Sequence, residues 1–343
     1  MRKDEHGTLW ISGLALLLAG SAILSLGFGT APIDLRAALG ALTNAIAGRP
    51  GTPAEVASVV LQIRLPRTLL AILIGALLAI AGTVMQAFFR NPMAEPYLVG
   101  VSSGAALGAV LAILLGWEFH AGFFSTVPLC AFLGALGVTA LVYSLSRRRS
   151  GLHTGGLLLS GIAIGSAISA IVALLMITSE RSIQQVIFWL LGSLSAARWE
   201  HLAVIAPYAV AGIAITIFLA RDLDLLLWGD VTSAALGVHV ERSRTLLLGA
   251  ATLMAAAAVA IAGVIGFVGL MVPHLARAWV GTGHRRLVPA AGLLGGLLLL
   301  WADVLARTIG APTELPLGAI TAIVGAPFLV YLCMRGGRMR WPF

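Results

Sequence analysis

Lysine is almost missing from this chain: of 22 lysines and arginines, only Lys3 is a lysine. A Walker A loop needs a lysine behind a glycine-rich turn, so ATP hydrolysis by that route is excluded. Cysteine is just as sparse. Cys130 and Cys333 both fall inside apolar runs, which leaves no disulfide framework and no metal-ligand spacing. Charge is scarce too, at 10% of 343 residues against 59% hydrophobic, and that composition cannot cover a water-soluble domain with polar surface. The chain reads as an all-α integral membrane protein. In a soluble protein the formal charge of +8 would point to nucleic acid. Here the arginines sit between apolar runs and act as a topology signal, so the expected partner is the bilayer and not nucleic acid.

What is present is a series of long apolar runs. Thr68 to Phe89 carries no charge and is fenced by Arg67 and Arg90; its 22 positions reach about 33 Å as a helix, enough to cross a bilayer core. Counting such runs predicts about ten spans in a single domain, near 9–29, 68–89, 97–116, 122–145, 155–178, 202–220, 245–266, 267–283, 287–307 and 316–334. The first is expected to stay on the mature chain, because 21 residues exceed the usual apolar core of a signal peptide. The eighth is short, holds Pro273, His274 and Arg277, and follows Gly263, Gly266 and Gly269, the pattern of a broken helix buried in protein. With the N-terminus inside, the inner segments collect 15 of the 22 basic residues, among them Arg90, Arg147, Arg148, Arg149, Arg242, Arg244, Arg338 and Arg340. Both termini are therefore expected in the cytoplasm.

Between the spans, Asp34 to Ile46 puts Leu35, Leu39, Leu42 and Ile46 on one helical face, as an interfacial helix does. Ile183 to Ala197 is too short to cross. The longest inner loop is 221–244, where Asp230 reads as an N-cap and Gly237 as a stop, enclosing a short helix suited to docking. Ala79-Ile80-Ala81-Gly82 lies ten residues before Pro92, and Ala260-Ile261-Ala262-Gly263 ten before Pro273, an echo of the kind that inverted repeats leave.

Gly100 to Gly104 fits G-x-S-x-G, but a nucleophile elbow needs a strand-to-helix turn and this segment opens an apolar helix, so Ser102 and Ser103 with His274 make only a remote case for a serine hydrolase. Asp303 lies four residues before Arg307, where pairing with it competes with a proton-relay role. Ser160, Gly161, Gly165 and Ser169 form a small-residue seam that serves equally for close packing or for lining a path. Arg64, Arg67 and Arg307 defy the positive-inside trend, and guanidinium groups bind carboxylates bidentately.

Several ordered stretches carry a resemblance: RLPRTLLAILIGALLAIAGTVMQAFFRNPMAEPYLVGVSSGA (64–104), FWLLGSLSAARW (188–199), GDVTSAALGV (229–238), GFVGLMVPHLAR (266–277) and LPLGAITAIVGAPFLVYL (315–332). The chain resembles the permease subunits of binding-protein-dependent ABC importers for iron-siderophore, haem and cobalamin. The resemblance implies a type II importer permease in a bacterial or archaeal cytoplasmic membrane. It implies a second permease copy, most simply a homodimer around a central path. It also implies two ATPase subunits below, which use the ATP and Mg while this chain binds no cofactor, and one substrate-binding protein above. Arg64, Arg67 and Arg307 match the outer arginines that receive the binding protein. Gly229, Asp230, Leu236 and Gly237 match the loop that sits on the ATPase, with Ser233 where alanine is common. The expected function is a gate with no chemistry of its own. The alternatives are a proton-coupled secondary transporter relying on Asp303 or Glu95, and, more remotely, the serine hydrolase.

Overall fold

A computed structural model of the chain describes residues 2–49, 51–117, 120–121, 124–148, 151–177 and 183–335. Arg149, Arg338 and Arg340, three of the basic residues expected on the inner side, lie outside the described residues. In chain order the helices are α1 (Arg2–Ser25), α2 (Leu35–Ala47), α3 (Ala54–Ser58), α4 (Leu65–Phe89), α5 (Val101–Leu114), α6 (Thr126–Ser146), α7 (Thr154–Ile177), α8 (Ile183–Leu190), α9 (Trp199–Phe218), α10 (Ala220–Leu226), α11 (Asp230–Ala235), α12 (Val240–Ala262), α13 (Val268–Val280), α14 (His284–Ile309) and α15 (Leu317–Arg335). Two miniature hairpins, His120–Ala121 with Phe124–Ser125 and Arg147–Arg148 with Gly151–Leu152, are the strands among the described residues.

Eight helices there are long and apolar enough to cross a membrane. The shorter α5 and α13, of 14 and 13 residues, occupy the third and eighth expected runs. Both are shorter than run length suggested because irregular backbone consumes part of each run. A 3-10 turn, Pro96–Val99, precedes α5, and Gly263 to Phe267 separates α12 from α13.

The run expected from Thr68 begins much earlier. Helix is continuous from Ala54 to Phe89 over 36 residues, through a π-helical segment, Val59–Arg64. Pro66 has no N–H to give the preceding turn. The ladder widens just before it, with Leu65 N–H reaching Val60 O, and continues without breaking.

α4, α12 and α14 form the enclosed centre, while α1, α6, α7, α9 and α15 keep apolar residues such as Leu16, Leu159, Val210 and Ile323 exposed. So much unpartnered apolar surface suits hydrocarbon as the surrounding solvent. Glycine sets the central spacing. A Cβ on Gly75 would lie 2.2 Å from the Gly295 carbonyl oxygen, and one on Gly82 would lie 1.8 Å from that of Gly269. Backbones this close need glycine on the touching faces.

Irregular backbone around 191–193, 263–267 and 316–317 is packed together, and its polar groups find protein partners. Ser193 N–H donates to Ala262 O at 2.8 Å, Leu317 N–H to Gly192 O at 2.8 Å, and Tyr97 Oη–H to Ile265 O at 2.7 Å. This is the condition for non-helical chain inside a membrane protein. The tetrapeptide echo has no matching geometry: the first copy lies within α4, whereas the second ends α12 at Gly263 with φ 70°.

The segment near 34–46 also differs from expectation, whereas 183–197 is, as expected, too short to cross. Asp34 caps α2 through Ala37 N–H at 2.8 Å, but the buried face is Ala38 and Ala41, packed against Leu26 and Val60, and Ile46 is 79% exposed. Small alanines allow the closer approach. In 183–197 only Ile183–Leu190 is helical, anchored by buried Val186.

Candidate functional site

Two charge clusters sit at opposite ends of α4 and α14. Arg67 and Arg90 are 23 positions apart on or next to α4, about 35 Å along the axis.

At the first end, the structure brings Arg64, Arg67 and Arg307 together but buries them, at 3%, 5% and 3% exposure. The continuous helix carries Arg64 and Arg67 inward. Arg64 donates to the carbonyls of Leu26 and Ala31, both at 2.6 Å, and so ties down the chain leaving α1. Arg67 Nε and Nη2 reach Asp303 at 2.9–3.1 Å, and its Nη1 and Nη2 reach Glu314 at 2.7 and 2.9 Å. Arg307 donates to Ser25 O at 3.2 Å, and its Nε lies 3.5 Å from Asp303. That Nε is buried without a hydrogen-bond partner. Three arginines face two carboxylates, so the cluster holds one positive charge in excess. The i, i+4 pairing of Asp303 with Arg307 is present.

At the second end, Asp230 opens α11 but does not cap it. Gly229, with φ 97° and ψ 160°, holds the cap position, a conformation that favours glycine, and frees the Asp230 side chain. Its carboxylate takes Arg244 Nη1 and Nη2 at 2.8 and 2.7 Å and also pairs with Arg90. Arg90, at the end of α4, further donates through Nε to Leu226 O at 3.0 Å. Asp224 accepts His284 N–H at 3.0 Å and meets its ring Nδ1 at 2.6 Å, while Asp222 accepts from Ser243. The α10–α11 unit is thereby fastened to all three central helices: α4 by Arg90, α12 by Ser243 and Arg244, and α14 by His284.

Ser233 is fully buried, its hydroxyl within 2.8 Å of Leu225 O and 2.6 Å of Gly229 O, so it stitches α11 to the end of α10. Gly237 has φ 86° just past the helix, as expected of a stop. Trp228, Val231 and Leu236 stand exposed, Val231 at 87%. Sequence reading missed Arg90, Arg244, Asp224, His284, Trp228 and Val231. Spacing carries no signal for pairs that meet only through the fold, though an apolar Trp228 and Val231 in a polar loop could have marked a contact surface.

The small-residue seam divides. A Cβ on Gly161 would lie 2.0 Å from Leu98 O and one on Gly165 would lie 3.6 Å from Ser103 Oγ, so both pack α7 against 98–103, while Ser160 is half-buried and Ser169 exposed. Gly100 follows a 3-10 turn and not a strand, Ser103 Oγ–H donates to Gly100 O at 3.2 Å, and the His274 ring stands edge-on to Phe328. The hydrolase geometry is not assembled.

The transport-family model described as the FecCD transport family matches residues 16–335. The chain belongs to the FecCD transport family. Among relatives of this FecCD chain, the cobalamin import system permease protein BtuC of Halobacterium salinarum is 45% identical over 82% of this chain and 75% of its own length. The hemin transport system permease protein HmuU of Yersinia pestis is 42% identical over 82% and 84%. The Fe(3+) dicitrate transport system permease protein FecD of Escherichia coli is 38% identical over 94% and 97%. A solved structure of a metal-chelate type ABC transporter in an inward-facing conformation superposes with a TM-score of 0.82 at 34% identity, covering 95% of this chain and 98% of that one. This FecCD chain is a multi-pass ABC permease, a transport component and not an enzyme, and ATP hydrolysis belongs to a separate subunit.

Proposed function

We propose that this permease carries a large chelate, of the iron-chelate, haem or cobalamin class, into the cytoplasm. Two copies form the path between them, ATPase subunits dock on α10–α11, and a substrate-binding protein docks at the opposite end. The observation that carries the reading is the fastening of α10–α11 to α4, α12 and α14. A push on the exposed Trp228, Val231 and Leu236 reaches the enclosed centre through ion pairs and not through a flexible loop, and the central helices deliver it to the far end. Differential contacts of the ATPase in its nucleotide states then bias two arrangements of the pair. The membrane is the cytoplasmic one of a bacterium or archaeon, with both termini inside.

The arginine cluster takes the binding protein in a modified form. Its excess positive charge, with an Arg307 Nε–H that pairs with Asp303 at 3.5 Å but makes no hydrogen bond, is matched by one incoming carboxylate, and a buried guanidinium gains most from such a partner. Ser160 and Ser169 remain the α7 positions open to a path.

The test is the assembled complex in liposomes. Asp230→Asn leaves Arg90 and Arg244 without their half-exposed carboxylate and should cut substrate uptake per ATP hydrolysed by about fivefold, the scale of about 1 kcal/mol for a partly solvated ion pair, while the subunits still co-purify. Arg307→Gln should weaken binding-protein association and leave ATPase assembly intact. Full uptake by Asp230→Asn, or uptake by the permease alone, rejects the coupling reading; unchanged association of Arg307→Gln rejects the docking one.

A further inference from the structure

The seam between α6 and α12, at the end of the bundle that carries α11, has a polar mouth and a mainly apolar interior. The mouth is an open cavity of about 620 Å³ lined by Arg147, His239, Glu241 and Arg242. Arg147 Nη2 is 3.3 Å from Glu241 Oε1, with both side chains more than half exposed, so that pair is weak. Two arginines against one glutamate leave a positive excess. Further along the seam a second, mainly apolar cavity of about 290 Å³ is lined by Leu136, Ala140, Leu248 and Leu253, with the hydroxyl-bearing Thr139 and Thr252 among them. Tyr143 and Thr245 line both cavities, and their hydroxyl oxygens are 3.2 Å apart at the junction. Polarity therefore falls along the seam, from guanidinium groups at the mouth to a mainly apolar groove in which Thr139 and Thr252 are the polar members beyond the Tyr143–Thr245 junction.

We propose that this seam is a binding site for one anionic glycerophospholipid. Its phosphate lies between Arg147 and Arg242, its ester region meets Tyr143 and Thr245, and an acyl chain fills the groove toward Leu253. Guanidinium groups match phosphate oxygens bidentately, and basic pockets between spanning helices recognise acidic head groups. An acidic protein segment satisfies the mouth but leaves the apolar groove unfilled. A zwitterionic lipid brings an ammonium group to a site already positive. The site goes beyond the transport reading and does not depend on it.

Native mass spectrometry of the purified full chain in detergent tests it, with titrations of phosphatidylglycerol, phosphatidylcholine and glycerol 3-phosphate. One phosphatidylglycerol should bind about tenfold or more tighter than phosphatidylcholine, from the attraction of two arginines for an anionic head group, and glycerol 3-phosphate should not compete. The Arg147→Gln/Arg242→Gln pair should lose that preference, and the pair of lysine replacements should keep it. Gly249→Leu should weaken binding with the mouth intact, since Gly249 lines the groove and a Cβ there meets nothing within 4 Å. Unfolding midpoints near wild type establish that the variants are folded. Equal binding of both lipids, unchanged binding by the glutamine pair or by Gly249→Leu, or competition by glycerol 3-phosphate overturns the proposal. So does loss of a co-purifying ATPase subunit from the glutamine pair with lipid binding intact, which assigns the mouth to a protein.

Discussion

Asp303 sits between two guanidinium groups and is fully buried, whereas the Glu314 side chain keeps 30% of its surface exposed. Removing the first charge strands Arg307 away from water, and breaking a buried pair costs about 3–5 kcal/mol. Removing the second costs up to about 1 kcal/mol, the scale of a partly solvated pair. Asp303→Asn should lower the thermal unfolding midpoint in detergent well below that of Glu314→Gln; equal midpoints contradict this ranking. Glu95 behaves differently. Burial pushes its carboxyl above the ordinary carboxylate range, and a hydrogen bond from Phe267 N–H opposes that shift only in part. A raised acid keeps its proton longer when folded, so its contribution is full below the unfolded value and is lost as pH rises through the folded one. Glu95→Gln should flatten the fall in unfolding midpoint between acidic and neutral pH, and an unchanged slope removes Glu95 as its source. The i, i+4 spacing made the Asp303–Arg307 pair legible from sequence. The Arg67–Asp303 bond was not, because 236 residues separate its partners.

At the scale of elements, run length located the long helices and misjudged their ends. Nothing in composition distinguishes Pro96–Val99 as a 3-10 turn, or places before Leu65 a π-helical segment that ends on the buried Arg64. Asp230 was misread as a cap because aspartate and glycine both suit that position, and only the φ of 97° at Gly229 separates them. Glycine positions divide by their surroundings. Gly82→Ala forces α4 and α13 apart and should cost about 1–3 kcal/mol, as overpacking does. Gly249→Ala meets open space on α12 and should stabilise by about 0.5–1 kcal/mol. Unfolding midpoints measured side by side check both signs; a stable Gly82→Ala means the helices are looser than the contact implies.

Across the whole molecule, three enclosed helices carry charge clusters at their ends and are wrapped by helices whose outer faces suit lipid. Hydropathy made that class of architecture readable, while the cross-links that turn separate rods into one body come from residues far apart in the chain. Arg67 poses a problem of timing during biogenesis. The ribosome releases its helix long before Asp303 or Glu314 has been made, so a charged residue with no counter-ion enters the insertion machinery and must be shielded there until α14 arrives. Nascent chains stopped short of that helix carry an unmatched cation.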